Sequence, residues 1–224
     1  MLKPVRGLGR FILNNIYKTL FPLKCSSCNK EGSFLCRSCE KKLEYLSKPE
    51  QSGTLPVYIE QLISCFPYKD PINSLIILGK YSFMPEVFAY LGKLSAAHLR
   101  RQRYDLKSYV LCPIPLSKQR QRWRGFNQSQ KLCETFSKEL RLPWRNFLER
   151  PKNTKTQKDL SRAGRQKNMK NSFALNPNLA AAIKGQQIIL VDDVATTGAT
   201  LSAAAEVLAQ ASAAKIIALT IARD

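Results

Sequence analysis

The apolar positions of this chain fall into two alternating kinds of pattern. Leu8, Phe11, Ile12, Ile16 and Leu20 recur at helical spacing and predict an amphipathic helix over 8–20. Short apolar runs with β-branched residues predict strands at 62–68, 109–112, 145–149, 187–192 and 215–221. Between them, helical patterns cover 71–79, 84–102, 126–140, 178–183 and 199–211. Strands that alternate with helices imply an α/β fold: a parallel sheet flanked by helices. Residues 47–60 carry Gly and Pro without periodicity and read as irregular.

This pattern divides the chain into four parts. They are an N-terminal amphipathic helix within 1–21, a small cysteine-rich module over 22–46, a linker and hood over 47–83, and the α/β domain over 84–224. The 224 residues suffice for one full domain and a small module. Asn14, Asn15, Tyr17 and Lys18 interrupt the N-terminal apolar segment, and no small-residue cleavage site follows before Cys25. A cytoplasmic protein without a membrane span is expected.

Four cysteines change the picture of the N-terminal module. Cys25, Cys28, Cys36 and Cys39 form two CxxC pairs separated by seven residues. Two such knuckles can present four thiolates at the corners of a tetrahedron, which suits a closed, structural Zn²⁺ site. Cys65, Cys112 and Cys133 lie singly in apolar surroundings and read as buried small hydrophobes, with Cys112 as a candidate for a pocket floor. The one histidine, His98, falls inside a helical pattern and reads as a surface or packing residue.

The richest chemistry sits late in the chain. Ile188 to Val191 form an apolar run that ends in Asp192 and Asp193. A small-residue loop, Ala195, Thr196, Thr197, Gly198, Ala199 and Thr200, leads into an alanine-rich helix. A helix N-terminus directs free N–H groups and its positive dipole end at such a loop, so a phosphate fits there. Two carboxylates would repel that phosphate and should face sugar hydroxyls or Mg²⁺ instead.

This stretch resembles the signature of the type I phosphoribosyltransferases. The resemblance implies that Asp192 and Asp193 take the ribose hydroxyls of phosphoribosyl pyrophosphate (PRPP) at the reacting centre. It implies that Ala195 to Thr200 hold the 5′-phosphate and that Mg²⁺ enters with PRPP. A double CxxC ribbon ahead of such a domain further resembles the ComF family, which includes competence proteins. ComF-like chains carry a ProXxxPro turn, a basic stretch and ArgGlyPheAsnGln, matched by Pro113 to Pro115 and by Arg124 to Gln128. By this resemblance Pro115, Leu116, Ser117, Arg122 and Arg124 would meet pyrophosphate. Asn127 and Gln128 read equally as helix caps and as substrate contacts.

Residues 150–173 are polar and basic, and resemble the flexible lid of the fold through Thr156, Gln157, Leu160, Arg162, Arg165, Asn168 and Phe173. Arg162 and Arg165 would then contact pyrophosphate, and the closed lid would exclude water. A Lys80-Tyr81 pair also matches ComF-like chains, with helix-end solvation as an adequate reading.

Charge adds a second theme. The net charge is +20, from 36 basic and 16 acidic residues. Residues 100–170 hold 20 Lys or Arg against five Asp or Glu, far beyond what one polyanionic substrate needs. Tyr104, Trp123, Phe126 and Trp144 lie among these cations and are candidates for stacking on bases. Two functions therefore stay open. One is a phosphoribosyltransferase that uses PRPP, Mg²⁺ and an acceptor base and serves DNA uptake. The other is a non-catalytic scaffold with a ligand-sensing pocket. Single-stranded DNA, a competence helicase and a second copy in a homo-oligomer are the candidate partners.

Overall fold

The computed structural model of the protein describes residues 23–51, 55–151 and 172–224. The helix expected over 8–20 and most of the basic segment, with Arg162 and Arg165, lie outside the described residues. The chain divides into two compact units, Met1–Leu43 and Glu44–Asp224. In the first, Lys24 and Glu31 form an antiparallel bridge and Cys36 opens a single helical turn, α1 (Arg37–Glu40).

The second unit runs β1 (Glu50–Gln51), β2 (Gln61–Pro67), α2 (Ile72–Tyr81), α3 (Pro85–Arg101), β3 (Tyr109–Pro113), α4 (Lys118–Arg124) and α5 (Gln128–Leu140). Then come β4 (Leu148–Glu149), β5 (Ala174–Leu175), a 3₁₀ turn (Ala180–Ala182), β6 (Gln187–Ala195), α6 (Ala199–Gln210) and β7 (Lys215–Arg223). The main sheet has the order β1-β2-β7-β6-β3. Its last four strands are parallel, and β1 pairs antiparallel at the edge.

Both faces of this sheet are covered, as its unbroken apolar strands require. Ile188 and Leu190 of β6 share one core with Leu201, Ala204 and Leu208 of α6. Ile189 and Val191, equally buried, alternate to the opposite face, the side packed by α5. There α3 and α5 lie against each other, brought close because Gly92 leaves room for Thr135; a Cβ on Gly92 would stand 3.0 Å from that side chain. His98 is buried on α3, where its Nε2 meets the Leu46 carbonyl at 2.9 Å and its ring stacks on Tyr45. Residues 44–46, expected within the cysteine module, thus belong to the second unit.

Several elements differ from expectation. The strand expected within a hood is β2, a member of the main sheet paired to β7. Its five consecutive buried residues, Leu62 to Phe66, need cover on both faces. The strand expected over 145–149 splits. Arg145 N–H donates to the Leu111 carbonyl at the sheet edge, and the chain then turns away to bury Phe147 and Leu148. The helix expected over 178–183 shrinks to the 3₁₀ turn. Helix α4 has no apolar periodicity to announce it; Ser117 caps its start and Gly125, at φ 78°, ends it.

Candidate functional site

Strand β6 carries Asp192 and Asp193 at its carboxyl end, where parallel sheets open their ligand crevices. Both side chains are buried. The Ser129 hydroxyl donates to Asp192 Oδ1 at 2.9 Å, and the Asp193 N–H donates to the same oxygen at 2.9 Å. Burial first, and then the adjacent Asp193 carboxylate, push the Asp192 carboxyl up to about 7. Gln128 Nε2 reaches Asp193 Oδ1 at 3.5 Å, and Lys80 Nζ forms an ion pair with Asp193 Oδ2.

The elements around the acids explain these contacts. Asn127 caps α5: its Oδ1 accepts from the Ser129 N–H at 3.0 Å. Its Nδ2 donates to the Ile114 carbonyl at 3.0 Å, tying α5 to the Pro113–Pro115 turn. The first turn of α5, with its positive dipole end, therefore faces the two carboxylates. Lys80 comes from the end of α2. Gly79 lets that helix approach α3, since a Cβ there would stand 2.7 Å from the Phe88 ring.

The acids border a cleft of ≈ 480 Å³, partly open to solvent. Pro115, Leu116 and Arg124 line it, as does Thr200. Ser117 and Arg122 do not: the Ser117 hydroxyl accepts from the Arg120 N–H as the α4 cap, and Arg122 is exposed. Three cations in the lining were not among the expected site residues, namely Lys80, Arg120 and Arg150. The Lys80-Tyr81 pair signalled the first, and Arg120 sits one helical turn before Arg124, but no local pattern marked Arg150.

Two of the four cations in the lining, Arg124 and Arg150, have unmet capacity. Among the described residues, the buried Nε atoms of Arg124 and Arg150 have no hydrogen-bond partner, and Asp193 Oδ2 has none beyond its ion pair. Burial lowers the pKa of both guanidinium groups, with Asp193 opposing this at Arg124. Buried donors without acceptors at a cleft wall fit an anionic ligand. Arg150 also lies 4.7 Å over the Phe173 ring. The antiparallel β4–β5 ladder, with Glu149 opposite Ala174, joins the two ends of the basic segment here.

The expected phosphate loop runs from Ala195 into α6. Gly198 takes φ 71° as the N-cap, a conformation that a Cβ would strain. Gly198 has no side chain to cap α6, and Thr197 Oγ1 accepts from the Ala199 N–H at 3.4 Å. Ala195, Thr196, Thr197 and Gly198 line a second hollow of ≈ 330 Å³, which also takes in Pro56, Leu62 and Arg223. The loop thus carries Thr200 toward the acids and its earlier residues toward this hollow.

The four cysteines of the first unit come together, with all Sγ atoms within 4.8 Å of one another. A regular tetrahedron with metal–sulfur bonds of about 2.3 Å has edges of about 3.8 Å; Cys28 and Cys36 Sγ lie 3.7 Å apart. That is far beyond a disulfide bond and close to the spacing a metal ion imposes. The Cys36 N–H donates to Cys25 Sγ at 3.3 Å. Burial opposes ionisation of Cys25, but N–H groups of Cys36, Ser27 and Cys28 outweigh it and bring its pKa to about 6.

The remaining cysteines are buried and free, and burial pushes Cys65 and Cys112 up to about 12. Cys112 lies in the core cluster and does not floor the cleft. Of the four candidate stacking aromatics, Trp123 is exposed, whereas Phe126 packs on Phe88 and Trp144 bridges to Leu111 at the sheet edge.

A parallel sheet with acids and a threonine-rich helix entry at its carboxyl edge defines a phosphoribosyltransferase-like domain, here preceded by a four-cysteine module. The phosphoribosyl transferase domain family matches residues 151–224. The chain is 30% identical to the DNA utilization protein YhgH of Escherichia coli K12, over 86% of this chain and 85% of that protein. It is 31% identical to competence protein ComFC of Bacillus subtilis, over 89% and 78%. Competence protein F of Haemophilus influenzae aligns at 29% identity, over 84% and 91%. Among solved structures, a glutamine PRPP amidotransferase of B. subtilis aligns with 61% of this chain and 26% of its own, at 16% identity and TM-score 0.42. The chain belongs to the ComF family. Among the described residues, no helix is long and apolar enough to cross a membrane.

Proposed function

We propose that the cleft binds PRPP with Mg²⁺ and catalyses departure of its pyrophosphate, with transfer of the phosphoribosyl group to an acceptor base. The observation that supports this most is one cleft that brings the buried Asp192–Asp193 pair, Thr200 of the helix-entry loop and four cations together.

Asp192 and Asp193 accept hydrogen bonds from the ribose hydroxyls and favour the positive charge that develops on the ring. Ala195, Thr196, Thr197, Gly198, Ala199 and Thr200 take the 5′-phosphate on N–H and hydroxyl groups. Pro115 and Leu116 border the pyrophosphate, and Arg124 and Arg150 donate their unmet N–H groups to it. As the anomeric C–O bond breaks, its electron pair leaves with pyrophosphate, and an acceptor nitrogen forms the new C–N bond. Mg²⁺, when bound with the diphosphate, supplies charge neutralisation and suits hard carboxylate donors. Arg162 and Arg165 of the basic segment add donors for the pyrophosphate, whereas Ser117, which caps α4, and the exposed Arg122 do not.

The thiolates of Cys25, Cys28, Cys36 and Cys39 hold structural Zn²⁺, a closed site that leaves no position for substrate. Such ligands persist in a reducing cytoplasm. The names of the relatives support service in DNA handling during uptake or utilisation.

The test incubates the full chain with PRPP, Mg²⁺ and a panel of bases and measures pyrophosphate. Wild type releases it, and Asp193→Asn loses release while keeping its circular dichroism. Equal release by both would remove Asp193 from catalysis. Calorimetric binding without release would leave the ligand-sensing reading.

A further inference from the structure

Outside the cleft, the most unusual surface is aromatic. Tyr81, Phe83 and Trp123 are 60%, 50% and 51% exposed, yet Tyr81 and Phe83 both pack on Trp123. The Trp123 ring lies 5.2 Å from Phe83 and 5.8 Å from Tyr81 between centroids, both edge-on. Phe83 takes φ 55°, a left-handed backbone that a bulky residue adopts only under strain. Strain that holds an apolar ring out in water calls for a use other than core packing.

The charges around these rings narrow the occupant. Trp123 sits on α4, whose seven residues LysGlnArgGlnArgTrpArg hold four cations and no acid. Arg120, three positions earlier, shares the face of Trp123 and also lines the cleft. Lys118 and Arg122, exposed and four positions apart, form a second cationic row. Tyr81 follows Lys80, another lining residue. Flat rings beside a row of cations match a ligand with flat faces and a repeating negative backbone.

We infer that Tyr81, Phe83 and Trp123 form a base-stacking platform for single-stranded nucleic acid, with Lys118, Arg120 and Arg122 taking its phosphates and the path leading to the cleft. Stacking accepts any base, and the cations follow the backbone without reading sequence. The platform requires no PRPP, so it goes beyond the function proposed for the cleft.

The experiment uses the full chain, a labelled 15-nucleotide oligothymidylate, its duplex with oligodeoxyadenylate, inorganic polyphosphate as a base-free polyanion, and anionic phospholipid vesicles. The strand quenches tryptophan fluorescence in wild type. Trp123→Ala weakens strand binding roughly 5- to 150-fold, the range for one stacked base, and leaves polyphosphate binding unchanged. Tyr81→Ala with Phe83→Ala, a variant that keeps Trp123, does the same. Arg122→Gln instead lowers the slope of log K against log salt by about 0.7. Equal losses for strand and polyphosphate would overturn the platform. So would equal affinity for duplex, or a Trp123→Ala defect confined to vesicles or to self-association.

Discussion

The Lys80 ammonium sits on the Asp193 carboxylate at the heart of the cleft, with side-chain exposures of 21% and 6%. Two adjacent buried acids would otherwise repel each other, and the lysine offsets that repulsion. Breaking a buried pair typically costs 3–5 kcal/mol; with the Lys80 stem a fifth exposed, Lys80→Met should cost about 2 kcal/mol in urea unfolding. Lys80→Arg should recover most of it. The same Lys80→Met change should weaken the proposed PRPP binding in calorimetry, because a cation is lost from the cleft lining.

Asp192 sets a pH dependence. Its carboxyl titrates near 7 when folded and near 3.8 when exposed. Between these values the folded state holds the extra proton, so stability falls as pH rises. The contribution is fully present below about pH 4 and lost once pH passes through about 7. Asp192→Asn removes it, so melting curves from pH 5 to 8 should show the variant gaining on wild type as pH rises. A constant difference across that range would contradict the burial argument.

Gly79 is the hinge between packing and chemistry. Gly79→Ala drives a methyl against the fully buried Phe88 ring, 2.7 Å from its nearest atom. Overpacking of this kind costs about 1–3 kcal/mol. The melting temperature should fall, and PRPP affinity should fall with it, because Lys80 is the next residue. Gly32, whose added Cβ would meet nothing within 4 Å, is no such packing site.

The cysteine cluster predicts a stoichiometry. Metal analysis of the purified chain should return one zinc per molecule. Cys36→Ser should lose it, because three thiolates leave the tetrahedron open. Far-UV circular dichroism of that variant should stay close to wild type, since Glu44–Asp224 holds the main sheet and its helices. Retention of zinc at full occupancy would exclude Cys36 as a ligand.

Local sequence order was sufficient to identify the parts whose chemistry is contiguous. The apolar run before Asp192, the Thr-Thr-Gly-Ala-Thr loop and the paired CxxC knuckles each lie within a few residues, so local order anticipates a strand that ends in acids, a loop that enters a helix and a four-cysteine cluster. The alternation of strand and helix likewise announced the parallel sheet. Tertiary structure decided what depends on separate segments meeting. Lys80, Gln128 and Asp193 are far apart in the chain, and only the packing of α2 on α3 and of α5 on β6 joins them. It moved residues 61–67 from a hood into the sheet, left Arg122 in solvent while admitting Arg120 and Arg150, and gathered Tyr81, Phe83 and Trp123. The physical reason is that short-range order sets the direction of a strand or helix, whereas which faces meet is set by burying apolar area over the whole domain.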